Sequence, residues 1–129
     1  MTQPNGISQV LDPYKDGQGR WLSREPGQIA KLYHLVGTER IPAQFFHIGV
    51  YVILPGESVP VHQHPDGEEF VFVLQGRGIL LEEDGQEVGA MEQGKLVHVP
   101  PAAFHGYLNS EPVPMELLVW CSKGAGLAY

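Results

Sequence analysis

The sequence predicts an all-β domain, a sandwich or barrel of eight or nine short strands. Three observations carry that reading. The chain holds 16 glycines and 11 prolines, about a fifth of its 129 residues, and they cluster between apolar runs, where they mark turns. The runs are short and rich in β-branched and aromatic side chains, which suit a pleated surface. No long stretch repeats its apolar residues at helical spacing. With 129 residues the chain is long enough to bury a core as one domain.

Residues 1–40 read as an N-terminal arm and lead-in segment. The first twenty are rich in Gly, Pro and polar side chains, as in loosely held termini. Ile29, Leu32, Tyr33 and Val36 have roughly helical spacing, although a short strand fits the same stretch. From residue 41 to 129 the strand signal is clear. "AQFFHIGVYVIL" ends at Pro55-Gly56, and "SVPVHQH" ends at the turn tripeptide "PDG". "EEFVFVLQG" follows, and then "RGILLEED" and "QEVGAME" flank Asp84-Gly85, a hairpin signal. "GKLVHVP" stops at Pro100-Pro101, and "FHGYLNS" and "PMELLVWCS" complete the set. "FVFVL" and "ELLVW" are apolar on both strand faces, so the outward face also needs a cover. A second subunit supplies one, and a homodimer is expected.

Charge and cysteine usage exclude several classes. The net charge is −7 and the sequence pI about 5.2, the wrong sign for a nucleic-acid or anionic-membrane partner. Cys121 is the only cysteine, which excludes an internal disulfide framework and a thiolate cluster. No basic, apolar leader is visible, and the longest apolar run is too short to span a bilayer. A cytoplasmic setting is expected.

The chemistry concentrates in "HQHPDGEEF". His62 and His64 are two apart on a predicted strand, so both rings leave the same face, with Cα atoms about 6.5 Å apart. At that spacing two imidazoles can converge on one ion at about 2.1 Å. Pro65-Asp66-Gly67 reverses the chain, and Glu69 on the next strand can add a carboxylate. His105, after "PPAAF", is a candidate fourth ligand. Three neutral imidazoles and a carboxylate suit Fe, Mn, Ni, Co, Cu or Zn rather than Ca or Mg. A six-coordinate ion held this way keeps two positions open.

An isolated His-x-His is more often a satisfied pair than a ligand pair. Here it belongs to a longer pattern, Gly56-x5-His62-x-His64-x4-Glu69-x6-Gly76, followed by Gly94-x5-Pro100 and His105-x3-Asn109. In this the chain resembles the cupin family over about Ile48 to Val119. "GESVPVHQHPDGEEFVFVLQG" matches every fixed position of the first family motif, and "GKLVHVPPAAFHGYLN" matches all but one of the second. Ala102 stands where the family has its second Gly. Glycine permits φ > 0 there, and the sequence leaves open whether the turn before His105 keeps that backbone. The resemblance implies a jelly-roll β-barrel with His62, His64, Glu69 and His105 around one divalent transition metal, commonly as a homodimer. Under a three-residue spacing Glu68 would be the ligand. Glu69 keeps six residues to Gly76 and is favoured, which turns Glu68 to the opposite face.

Candidate catalytic groups are His98, His47 and Tyr51. His98, in "LVHVP", can face the cavity as a proton donor. It can equally be a buried histidine bonded to backbone. His47 and Tyr51 share one strand face, and they line the pocket only if that face is internal, which the sequence does not decide. His34 is not assigned to the site. Arg40 and Arg77 are weak candidates for anion anchors, because most surface arginines have no such role. Phe104 and Tyr107 read as wall residues, and Cys121 as a small buried hydrophobe. The resemblance implies an enzyme acting on a small oxygenated molecule, leaning to dioxygenase chemistry. Metal-dependent isomerase, lyase or cyclase chemistry, or a non-catalytic metal or small-molecule binding protein, are the alternatives.

Overall fold

Apolar runs bounded by Gly and Pro turns become two antiparallel sheets facing each other. The computed structural model describes residues 7–21 and 30–123. A short helix, α1 (Pro13–Asp16), precedes ten strands: β1 (Gln18–Trp21), β2 (Ala30–Val36), β3 (Phe46–Ile53), β4 (Ser58–His62), β5 (Glu69–Gln75), β6 (Arg77–Leu81), β7 (Glu87–Glu92), β8 (Leu96–Val99), β9 (His105–Leu108) and β10 (Met115–Ser122). The six-stranded sheet runs β1-β2-β3-β10-β5-β8, and the four-stranded sheet β4-β9-β6-β7. Because β3 pairs with β10, and β4 with β9, the chain crosses repeatedly between the sheets and forms a jelly-roll barrel.

Strand periodicity sets which side chains fill the barrel. In β10 the residues Met115, Leu117, Val119 and Cys121 are buried, while Glu116, Leu118, Trp120 and Ser122 are only partly so. The same alternation on β3 sends Tyr51 and Ile53 inward, in register with Leu117 and Met115. The face left undecided by the sequence is therefore the odd-numbered one, shared by His47 and Tyr51. With Leu32, Val59, Val71, Val73, Met91 and Tyr107 these residues make one continuous core. Removing such side chains from water is the main stabilising term of the fold.

The expected lead-in of residues 1–40 contains two strands of the main sheet. β2 pairs with β3 and adds Ala30 and Leu32 to the core. Leu32, Tyr33 and Val36 are thus strand residues, because pairing with β3 offers burial that a lone helical turn could not; Ile29 lies outside the described residues. Asp12 caps α1 by accepting from the backbone N–H groups of Tyr14 (2.9 Å) and Lys15 (3.2 Å). Tyr14 then lies edge-on to Tyr33, with ring centres 5.1 Å apart, and its hydroxyl donates to Glu116. Tyr33 and Glu116 flank β3, so the arm crosses β3 on its outward face. This accounts for Val50, which points away from the core and is nonetheless fully buried.

The motif residue Asn109 secures the barrel end opposite the histidines. Its side-chain amide donates to the carbonyls of Ile53 (2.9 Å) and Val113 (2.7 Å), and its Oδ1 accepts from the Glu111 N–H (2.9 Å). On the outward face of the six-stranded sheet, Phe70 stacks on Trp120 at 5.2 Å and on His98 at 5.0 Å. Among the described residues no helix is long and apolar enough to cross a membrane.

Candidate metal centre

The ends of β4 and β5 and the start of β9 meet at one rim of the barrel. His62 closes β4, Glu69 opens β5, and His105 opens β9 directly opposite His62. β4 ends at His62, so His64 sits in the turn beyond it rather than on the strand. It still converges, with its ring beside those of both His62 and His105. The ring centres of His62 and His64 are 4.9 Å apart, those of His62 and His105 4.2 Å, and those of His64 and His105 5.1 Å. One ligating atom from each of His62, His64, Glu69 and His105 lies within 4.8 Å of all the others.

Backbone contacts preset these groups. The His62 Nδ1–H donates to the Pro60 carbonyl at 2.7 Å, and the His105 Nδ1–H to the Ala103 carbonyl at 2.9 Å. A carbonyl can only accept, so each ring is held with its proton on Nδ1 and the Nε2 lone pair toward the centre. Glu69 is 1% exposed. Its carboxylate lies 3.5 Å from His64 Nε2 through Oε1 and 3.5 Å from His105 Nε2 through Oε2, and the Tyr107 hydroxyl donates to Oε2. Burial pushes the Glu69 pKa up, but the facing His64, His105 and Tyr107 outweigh it and hold the carboxyl below its ordinary range. Burial, with His105 beside it, drives His62 down to about 4, and burial also lowers His105.

These residues fit a transition metal. Glu69 Oε1 and the Nε2 atoms of His64 and His105 are buried with no hydrogen-bond partner among the described residues. Buried acceptors left without donors are costly, and a cation shared by all of them removes that cost. The donor set of neutral imidazoles and one carboxylate is of the type that Fe, Mn, Co, Ni, Cu and Zn take.

The turn before His105 keeps the glycine-type backbone despite its alanine. Ala102 has φ +66°. Its N–H donates to the His64 carbonyl at 3.0 Å, and its own carbonyl accepts from the Gln63 side chain at 2.9 Å. The turn is thereby tied to the His-x-His segment it faces.

The other candidates sort by strand face. For His98 the sequence left open a cavity-facing group or a buried histidine bonded to backbone. It pairs with Phe70 on the outward side of the sheet, and its Nε2 is 2.7 Å from Glu68 Oε2. His98 also lines the cavity described below, next to Val99 and Pro100. Tyr51 faces inward but is 1% exposed, with its ring 6.4 Å from that of Tyr107; it stands behind Tyr107, away from any opening. His47 is on the inward face at the rim, two strands from Glu69 through Cys121, about 10 Å at ordinary strand spacing. His34, not assigned from sequence, joins it: His34 Nε2 is 3.1 Å from the Val36 carbonyl and 3.2 Å from His47 Nδ1. Burial lowers the pKa of both, with His47 adding to the effect on His34 and Lys123 to that on His47. Burial raises Cys121 to about 12. Arg40 pairs with Asp16 and Arg77 with Glu111, each at 3.3 Å on the surface. Tyr107, read from sequence as a wall residue, instead donates to Glu69. Two positions after His105 on the same strand, it necessarily shares that histidine's face.

A cavity of about 160 Å³ opens at this rim, with an apolar wall from Leu80 to Phe104, the carboxylate of Glu82, and the rings of His98 and His105 among its lining.

Comparison with known proteins agrees with this geometry. The family model described as "Cupin domain" matches residues 49–121. Gentisate 1,2 dioxygenase 1 of Aquipseudomonas alcaligenes is 36% identical over 81 residues, which cover 63% of this chain and 22% of that protein. The chain thus spans about a fifth of that relative. A Thermotoga maritima structure described as a predicted oxalate decarboxylase superposes with TM-score 0.71 at 20% identity, covering 88% of this chain and 98% of the other. The polyketide cyclase RemF of Streptomyces resistomycificus gives TM-score 0.73 at 22% identity, covering 90% and 80%. At these identities the two structures are similar in fold.

Proposed function

This chain belongs to the cupin family, and from that premise we propose that it is a metal-dependent enzyme of dioxygenase type acting on a small oxygenated molecule. The observation that carries the reading is the convergence of four buried ligating groups, His62, His64, Glu69 and His105, within 4.8 Å. The sequence match to a gentisate 1,2-dioxygenase supports the dioxygenase direction. A divalent transition metal bound by these four residues supplies Lewis-acid polarisation of a substrate oxygen and, as Fe(II), a route for electrons from substrate to dioxygen.

The chain's own residues prepare that chemistry. The Pro60 and Ala103 carbonyls hold His62 and His105 as Nε2 ligands. Burial lowers the pKa of His62 and His105, with His105 adding to the effect on His62, which favours the unprotonated rings, the state in which an imidazole binds a metal. Tyr107 orients Glu69 through its hydroxyl, and Tyr51 supports Tyr107 from behind. His47 is the proton-handling group in this reading. The Val36 carbonyl places the His34 proton on Nε2, which donates onward to His47 Nδ1, so the His47 proton sits on Nε2, free of that bond and at the rim. The partly exposed apolar face around Phe70, Trp120 and Leu96, the last 56% exposed, is covered in this reading by a second copy of the chain.

Elemental analysis of protein purified without added metal, followed by oxygen uptake with gentisate, catechol, a β-diketone and a flavonol, tests the proposal. Iron and uptake with one of these substrates are expected. Zinc alone, with no uptake across the panel, overturns the dioxygenase reading. Metal content unchanged in a His62→Ala/His64→Ala protein overturns the ligand assignment. Light scattering giving a monomer at micromolar concentration overturns the dimer.

A further inference from the structure

The cavity wall bears on which molecule reaches the metal centre. Of the residues lining it, Leu80, Leu81, Val88, Val99, Pro100, Ala103 and Phe104 are apolar, and the one ionisable side chain besides the histidines is the carboxylate of Glu82. Among the described residues no Lys or Arg lines the cavity. Lys123, which acts on His47, follows β10 and lies beyond β5 and β10 from the cavity. The volume of about 160 Å³ is close to that of an engineered apolar cavity of about 150 Å³ that takes up benzene. An anionic group seated against this wall loses water, meets no Lys or Arg, and faces Glu82 in a chain whose net charge is already −7.

We propose that this cavity selects an uncharged single-ring diol or similar neutral oxygenated molecule, and that Glu82 is a specificity determinant that rejects carboxylated and phosphorylated analogues. The proposal rests on the metal-centre reading for what happens to the molecule, but the preference itself belongs to the cavity wall. Glu82 leads into the 3-10 turn Glu83–Gly85 between β6 and β7 and is solvent-exposed, so its substitution leaves the core untouched.

The test compares catechol with 3,4-dihydroxybenzoate, which offer the same pair of hydroxyl oxygens and differ by one carboxylate. Binding is measured without oxygen, by ligand-observed NMR titration on metal-free protein and by calorimetry on zinc-loaded protein. Catechol is expected to bind at least about tenfold more tightly, a difference of about 1.4 kcal/mol. Glu82→Gln is expected to reduce that ratio severalfold with metal content unchanged, whereas Glu87→Gln, which removes an equal charge outside the cavity wall, leaves the ratio as it was. Equal or tighter binding of the carboxylated ring, or failure of both rings to bind, overturns the proposal. Equal effects of the two substitutions overturn the role of Glu82. A wild type that takes up no zinc overturns the metal-centre reading instead, and the ring preference is still read from the metal-free titration.

Discussion

Replacing Tyr107 by Phe removes one oxygen from a fully buried side chain and keeps the ring that packs beside Tyr51. What is lost is the donor to Glu69 Oε2. His105 Nε2 lies 3.5 Å from the same oxygen, but its ring carries the proton on Nδ1, toward the Ala103 carbonyl, so it presents a lone pair and cannot take over. A hydrogen bond to a charged group contributes about 1.5–3 kcal/mol, and with Glu69 only 1% exposed water does not readily replace it. The metal-free Tyr107→Phe protein should therefore lose about 1.5–3 kcal/mol in urea unfolding, with an unchanged far-ultraviolet circular dichroism spectrum. Metal affinity, measured by competition with a chelator of known strength, should fall about 10- to 100-fold, as for other residues that orient a ligand. A variant with wild-type urea midpoint and wild-type metal affinity would show that Tyr107 neither holds Glu69 nor sets its orientation.

Three further outcomes follow from the same geometry. Asn109→Ala strands the Ile53 and Val113 carbonyls and the Glu111 N–H, so it should cost about 2–3 kcal/mol of stability, while metal affinity at the opposite barrel end stays unchanged; a loss below the error of denaturant titration would contradict this. Ala102→Gly relieves a left-handed backbone at φ +66° that disfavours alanine by about 1–2 kcal/mol, offset by about 0.4–1 kcal/mol of added chain entropy in the unfolded state. Its thermal midpoint should be unchanged or raised by a few degrees, and a fall would mean that the turn gains from the methyl group. The metal-free protein should weaken as pH falls from about 6.5 to 4. His62 is held down to about 4 when folded against about 6.5 unfolded, so the unfolded chain binds more protons in that window, and stability contributed above pH 6.5 is lost, roughly 3 kcal/mol from this residue. Urea midpoints that stay flat from pH 7 to 4.5 would refute the burial of a neutral His62.

How much could be read in advance differs between the two ends of the barrel. The ligand set was legible because the two spaced motifs resemble those of the cupin family. Within the motif, Glu69 rather than Glu68 is inward because neighbours on a strand oppose each other, and Glu68 meets His98 instead. For His98 the sequence left two alternatives open. Its inward or outward sense depends on pairing with β5, which no local pattern in "LVHVP" encodes.

By itself the sequence determined an all-β chain and most of its strands from residue 41 onward, through turn chemistry and a two-residue period, while the four-residue ligand set was legible through the resemblance to the cupin motifs. Only the tertiary structure decided which sheet face looks inward on β3 and β8, that Tyr107 holds Glu69, that His34 meets His47, and that the cavity wall is apolar around one carboxylate. Each of those depends on register between strands distant in the chain, and register is set when the whole core packs at once.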